Sequence, residues 1–442
     1  MTSPSSIASR HTAGFALPHN APAAARTMLQ MLQRLRHGSL TLQLPDGSIQ
    51  RFGDGQGPAA SLSLHNWNMC GATLKSGDIG FAETYIARDW HTPDLTALLR
   101  LLITNRRDIE DMVYGSWLGR LVYRARHLLN RNSKTNSRKN IHAHYDLGNA
   151  FYELWLDSTM NYSSAWFETP EQSMGDAQRA KVRRALAMAG VKPGDRVLEI
   201  GCGWGALAEM ATTEFQASVT GVTLSTEQLA FAKQRMEKLG IPTSGNTPAA
   251  GPPQGGRAPS GGSDPLQRWS VGAPVSDLRL QDYRDINDGP FDAICSIEMI
   301  EAVGREYWPT YFASVAKLLK PGGQACIQSI VIDDALFERY IRSTDFIQQY
   351  VFPGGCLPSP ERFRAEAERA GLQVVDQFAF GADYARTLQV WRDAFLHQRE
   401  RVLQLGFDER FMHIWEFYLA YCEAAFAERN IDVMQFTLRK PA

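Results

Sequence analysis

With 442 residues and a hydrophobic share of 44%, the chain is long enough for two domains and apolar enough to build a packed core. A formal net charge of −1 excludes a polyanion binder that uses its whole surface, so any basic function must be local. No apolar run approaches the roughly 18 residues of a helical membrane span, and six scattered cysteines without a C-x-x-C pair (Cys70, Cys202, Cys295, Cys326, Cys356, Cys422) argue against zinc and against a disulfide framework, and fit a reducing cytoplasm.

The first 25 residues are Ser-, Ala- and Pro-rich without an apolar core segment, which predicts a disordered tail over 1–27 rather than a signal peptide; a transit peptide is the weaker alternative. Residues 28–110 read as a small α+β unit. Leu40 to Leu44 alternates, Pro45-Asp-Gly47 is a turn, and Ser48 to Phe52 alternates again, which predicts a hairpin. Ser61 to Trp67 reads as another strand, and Asp94 to Leu102 as a short helix. No titratable cluster or glycine loop occurs here, so catalysis belongs elsewhere. A lipid-docking module, a homodimer-forming module and a plain structural appendage all remain open.

Residues 111–141 form a basic connector. Arg120, Arg124, Arg126, Arg131, Lys134, Arg138 and Lys139 lie in a stretch with no acidic residue between Asp111 and Asp146. Trp117, Leu118, Leu121, Val122, Ala125, Leu128 and Leu129 recur at helical spacing, which predicts a basic amphipathic helix over Met112–Leu129. A core-packed helix with a solvated basic face and an interfacial helix on anionic lipid both fit this pattern. Nucleic acid does not, because there is one basic stretch and no stacking-platform pattern.

The chemistry lies in residues 142–442. Val197 to Ile200 reads as a buried strand, and Gly201, Gly203 and Gly205 as a tight turn opening into a helix. Such a strand–turn–helix unit binds nucleotide-like cofactors at the carboxyl ends of strands in doubly wound α/β folds. Glu199, two residues before the first glycine, repels a pyrophosphate but suits a sulfonium and an α-amino group. The strand Ser218 to Thr223 ends in Thr-Leu-Ser rather than the acid that a dinucleotide ribose needs, which favours S-adenosylmethionine over NAD.

A helix from Thr226 to Leu239, capped by Ser225, follows. Residues 242–265 are a Pro/Gly/Ser-rich insertion too poor in apolar groups to order itself. Strands resume at Leu278–Leu280, Phe291–Ile297, Gln324–Val331 and Leu372–Ala379. Their alternation with helices predicts a mostly parallel sheet of Rossmann-like, doubly wound type. Trp391, Phe395, Phe407, Phe411, Trp415, Phe417, Tyr418, Tyr421 and Phe426 then give more rings than one helix face needs, so part of them is expected to wall an apolar pocket.

Four segments together resemble the cyclopropane-fatty-acyl-phospholipid synthases and their mycolic-acid-modifying relatives. They are His144–Asn149 leading to Met160–Trp166; the glycine turn with Gly221–Ser225; Ser296–Gly304; and Phe352–Pro358 with Phe380–Tyr384. The resemblance implies a Rossmann-like methyltransferase behind a small amino-terminal domain, peripheral to the inner membrane on its cytoplasmic side. Its substrates would be the acyl chains of membrane phospholipids. It also implies S-adenosylmethionine contacts by Tyr162, Ser163, Gly201, Gly203, Thr223, Leu224, Gln228 and Ile297, with Asp282 and Tyr283 around the adenine. Family members hold bicarbonate in an anion site built from a Cys, a Glu, a His and a Tyr. By this resemblance the Glu is Glu301 and the Tyr is Tyr384, while Ser164 and Gln328 stand at the Cys and His positions. The family's carboxy-terminal cysteine is Cys422, which an aromatic helix would make inert core.

An isolated alkene attacking a sulfonium methyl leaves positive charge on a chain carbon. The site must stabilise that charge, exclude water and remove a proton. Glu301 and aromatic faces are expected to do the first, and apolar walls the second. Ser164 and Gln328 are neutral donors and not bases near pH 7, so cyclopropane closure is expected to be poor. Loss of a proton without ring closure gives a methylene product, which a reductase partner would convert to a methyl branch. The competing readings are a methyltransferase for another lipophilic substrate and a catalytically inactive lipid-binding protein.

Overall fold

The computed structural model describes residues 21–109, 147–243 and 273–442. The expected basic helix, most of the insertion and residues 144–146 of the first family segment lie outside the described residues, as do residues 1–20. The chain divides into two compact units at Gly119/Arg120.

The first unit begins with a helix, Ala23–Leu32, where a disordered tail to residue 27 was expected. Ala25, Met28, Leu29 and Leu32 fall on one face and are buried, and that apolar spacing is why the segment orders. The hairpin forms as expected: β1 (Ser39–Gln43) pairs antiparallel with β2 (Ile49–Gly53). β3 (Ala59–Leu64) lies parallel to β1, and the short β4 (Trp90–His91) closes the sheet in the order β2-β1-β3-β4. Asp94 caps the helix Leu95–Thr104 by accepting from Ala97 N. Two helices, Asn68–Ser76 and Asp78–Ile86, follow β3, and the second presents Phe81 and Tyr85 to the buried Trp90.

The second unit is built on seven strands: β5 (Arg196–Ile200), β6 (Ser218–Thr223), β7 (Ser276–Leu280), β8 (Phe291–Ile297), β9 (Leu319–Ile332), β10 (Gln373–Ala379) and β11 (Ile431–Arg439). Their order is β10-β11-β9-β8-β5-β6-β7. The five strands from β7 to β9 run parallel, and β11 is antiparallel to both its neighbours. This is the mostly parallel sheet expected, with a carboxy-terminal strand that the sequence reading did not place.

Helices pack on the sheet through two apolar clusters. One contains Leu186, Leu207, Ala211 and Ala232, and the other Trp308, Phe312, Phe363 and Phe436. Phe363 stacks on Phe436 at 3.9 Å between centroids, and truncating either ring to alanine would cost about 3–5 kcal/mol. The surplus aromatics are mainly core. Phe151 is ringed by Trp155, Phe395, Phe407, Phe411 and Trp415 at 5.1–6.2 Å, with Phe407 and Phe411 only partly buried.

Candidate active site

The three glycines after β5 all take positive φ, 86° at Gly201, 49° at Gly203 and 84° at Gly205, and each is small for its own reason. A Cβ on Gly201 would press on Met299 at 3.0 Å, and one on Gly205 on Ala232 at 3.0 Å, in the neighbouring helix Thr226–Lys238. A Cβ on Gly203 would meet nothing within 4 Å. Gly203 therefore leaves backbone open toward a ligand, while Gly205 sets helix packing and does not line the cavity that opens here.

That cavity is lined by Tyr162, Ser163, Glu199, Gly201, Gly203, Thr223, Leu224, Gln228, Asp282, Tyr283 and Ile297, which brings together every expected cofactor residue except Gly205. Glu199 is 4% exposed, and its Oε2 is buried without a hydrogen-bond partner, so a cationic donor group fits against it. Burial pushes its carboxyl well above the usual range, and Lys181 pulls it back. The Thr223 hydroxyl donates to Gln228 Oε1 at 3.0 Å, fixing the end of β6 to the helix that Ser225 caps. Asp282 is held by Arg284, through Nε at 2.8 Å and Nη2 at 2.6 Å. The residues present fit S-adenosylmethionine: an open glycine turn, a buried acid beside it and a ring, Tyr283, in the lining.

The anion-site residues also converge, on a carboxylate that the sequence reading passed over. Ser164 N donates to Glu298 Oε1 at 2.9 Å, Gln328 Nε2 to the same oxygen at 2.7 Å, and the Tyr384 hydroxyl to Glu298 Oε2 at 2.6 Å. Glu298 fronts the cavity, while Ser164, Gln328 and Tyr384 stand behind it and do not line it. Ser164 serves through its backbone amide, because its hydroxyl donates to Ala165 O at 2.8 Å. Glu298 follows β8 directly and has φ 49°, a conformation that non-glycine residues rarely adopt and that concentrates at functional sites. Burial pushes its carboxyl up; Lys181, Tyr384, Ser164 N and Gln328 each pull it down. Lys181 is fully buried on the helix Met174–Met188, its Nζ 2.5 Å from Ser163 Oγ. Burial lowers this amine to about 8, against the opposing pull of Glu298, Asp157 and Glu199.

The chain matches the model of the mycolic acid cyclopropane synthetase family over residues 132–248 and 271–436. It belongs to that family. It is 36% identical over 430 residues to the tuberculostearic acid methyltransferase UfaA1 of Mycobacterium tuberculosis, covering 95% of this chain and 92% of that protein. It is 31% identical over 382 residues to the cyclopropane-fatty-acyl-phospholipid synthase of Escherichia coli K12, covering 86% and 88%. Among solved structures, the cyclopropane synthase MmaA2 of Mycobacterium tuberculosis aligns with TM-score 0.57 and 28% identity. The mycolic acid cyclopropane synthase CmaA1, complexed with SAH and CTAB, aligns with TM-score 0.58 and 28% identity. Each alignment covers 69% of this chain and 98% of the other. This family member is an S-adenosylmethionine-dependent methyltransferase that acts on lipid acyl chains.

Within this synthetase-family site, Glu301 takes a different place from the one expected. Glu301 accepts from Ile330 N and does not bond Ser164, Gln328 or Tyr384. Burial and the neighbouring charge of Glu298 push it up to about 8, which favours its neutral form near pH 7. Cys422 is absent from the cavity lining, and burial pushes its thiol far up, which removes the thiolate a nucleophile needs. The signal for Glu298 was present in Ser296-Ile-Glu-Met-Ile-Glu301, where two acids compete. The one nearer the strand end points to the ligand crevice.

Proposed function

We propose that this chain methylates the double bond of an unsaturated phospholipid acyl chain and uses its own Glu298 carboxylate where other family members hold bicarbonate. The observation that carries this is the seating of Glu298 on Ser164 N, Gln328 Nε2 and the Tyr384 hydroxyl, with its oxygens fronting the cofactor cavity. When bound, S-adenosylmethionine supplies an electrophilic methyl group.

Glu199 and the glycine turn would hold that cofactor's cationic end, and Tyr162 and Ser163 would close over it. Glu298 faces the place where positive charge develops on the chain, a fixed anion in a site that Met299, Ile297 and Val303 keep apolar. It then accepts the proton. Oε1 already takes two hydrogen bonds and Oε2 takes one, so a lone pair on Oε2 remains for it. Methyl added and proton lost make the product heavier by one CH2.

Among family members, likeness to a methyltransferase over nearly the full length, together with a base tethered to the backbone, supports a 1,2-hydride shift that brings the positive charge to the methyl-bearing carbon, followed by loss of a proton from the transferred methyl to Glu298, which gives a methylene product. A reductase partner would add two hydrogens to leave a methyl branch. The basic stretch from Arg120 to Lys139, outside the described residues, supports docking on an anionic membrane surface. Among the described residues, no helix is long and apolar enough to cross a membrane. The test is gas chromatography and mass spectrometry of methyl esters from cells expressing the chain and fed a monounsaturated fatty acid. A methylene or methyl-branched ester is expected; an ester that is all cyclopropane would overturn the product assignment.

A further inference from the structure

A buried hydrogen-bonded chain leads away from Glu298 to the sheet face. Gln328 on β9 and Gln435 on β11 are register partners. Both are fully buried, and Gln435 Nε2 donates to Gln328 Oε1 at 3.0 Å. Gln435 Oε1 in turn accepts from Arg184 Nη1 at 2.6 Å. Arg184, on the helix Met174–Met188, is fixed by Asp376 Oδ2 at 3.1 Å and by the Phe378 ring 4.1 Å from its guanidinium carbon.

We infer that Arg184 and Gln435 are positioning residues that set which end of the Gln328 amide meets Glu298, and so control the ionisation of the base from a distance. This rests on Glu298 being that base. An amide side chain has a donor end and an acceptor end, and nothing in its shape chooses between them. Arginine has only donors, so it can face only the oxygen of Gln435. The Lys181 carbonyl, which accepts from Gln435 Nε2 at 3.2 Å, enforces the same orientation from the other side. The Gln435 amine must then face the oxygen of Gln328, and the Gln328 amine must face Glu298. In that arrangement the carboxylate form is favoured. With Gln328 reversed, oxygen would face oxygen at 2.7 Å unless Glu298 carried a proton.

The other ionisable groups facing Glu298 are Lys181 from its helix, Tyr384 from the helix Gly381–His397 and Glu301 from the turn after β8. Asp157 and Glu199 act on the same Lys181. None of them touches Gln435 by a side-chain hydrogen bond, so a relay effect is separable from theirs.

The test is the pH dependence of kcat/KM of the purified full chain, with S-adenosylmethionine and vesicles of a monounsaturated phosphatidylglycerol. Gln435→Leu, which adds no charge, removes the amine that holds the oxygen of Gln328 and so leaves the Gln328 amide free to reverse. The acid limb is expected to move up by about one pH unit or more, with the KM for S-adenosylmethionine unchanged. Arg184→Met, at a side chain 15% exposed, removes the anchor while keeping bulk and is expected to move the limb the same way by less. It also serves if the first variant does not fold. Arg183→Met, which breaks only an exposed pair with Glu214, is expected to move nothing. Acid limbs unchanged in the folded Arg184 and Gln435 variants, beside an inactive Glu298→Gln, would overturn the relay alone. Wild-type rates in Glu298→Gln would overturn the base and the relay together.

Discussion

Gln328 Nε2 lies 2.7 Å from Glu298 Oε1. Gln328, which by resemblance stands where other members carry a histidine, therefore spends its hydrogen bond on a carboxylate supplied by the same chain. Restoring the family pattern with Ser164→Cys and Gln328→His is consequently expected to leave the product mixture unchanged. Glu298 still occupies the pocket, and a histidine can donate to it as Gln328 does. Gas chromatography of methyl esters checks this; a marked gain in cyclopropane would show that residues 164 and 328 decide the product on their own.

Gly203→Val is expected to abolish S-adenosylmethionine binding with the fold retained. The added side chain projects into the open space of the cavity, and the left-handed φ adds a local cost of about 1–2 kcal/mol. Titration calorimetry and far-ultraviolet circular dichroism on one preparation check it. Unchanged affinity in a folded variant contradicts the assignment of the cavity.

Glu301→Gln is expected to keep activity within a few-fold, because the native side chain is already neutral near pH 7. It carries a clear stability signature. Below about pH 4.5 Glu301 is protonated folded and unfolded alike. Between there and about 8 the unfolded chain has released a proton that the folded chain retains, so stability falls as pH rises. The amide of the variant does not titrate and has no such slope. The Tm of the variant relative to wild type should therefore climb from pH 5 to pH 8, by the equivalent of about 1.4 kcal/mol per pH unit at most. A flat difference would mean that Glu301 ionises normally.

Thr243 bridges to Ser276, and Ser276 N donates to Pro242 O at 2.9 Å, so the described chain before residue 244 already meets the described chain after residue 272. Replacing residues 244–272 by a short Gly-Ser link should leave Tm and turnover nearly unchanged, since closure entropy depends weakly on loop length. Thermal denaturation and initial rates check this, and a large loss of either would assign the segment a role.

The cofactor half of the site was legible in sequence because its requirements are local. Three glycines, one acid and a capped helix follow one another closely along the chain, and each is dictated by backbone geometry. The other half depends on register between distant strands. Gln435 and Thr437 interrupt the apolar run of β11 with buried polar groups, so the strand does not announce itself, and the pairing that places Gln435 beside Gln328 is invisible without it. Glu298 and Glu301 stand three residues apart, the second of them in a 3₁₀ segment. Motif spacing could not say which of them meets Ser164 and Tyr384, which approach from elements far away along the chain.

The most direct measurement is the bicarbonate dependence of methyl transfer by the purified chain and by its Glu298 variants, in buffer freed of carbon dioxide. The wild type should be indifferent to added bicarbonate. Glu298→Gln should lose roughly 10²-fold or more in kcat, the scale of removing a main electrostatic group, and should not recover because its amide still fills the site. Glu298→Gly should be equally slow and regain activity as bicarbonate enters the pocket between Ser164 N, Gln328 and Tyr384. A wild type that stalls without bicarbonate, or a Glu298→Gln variant at full rate, would contradict the assignment of Glu298 as the base.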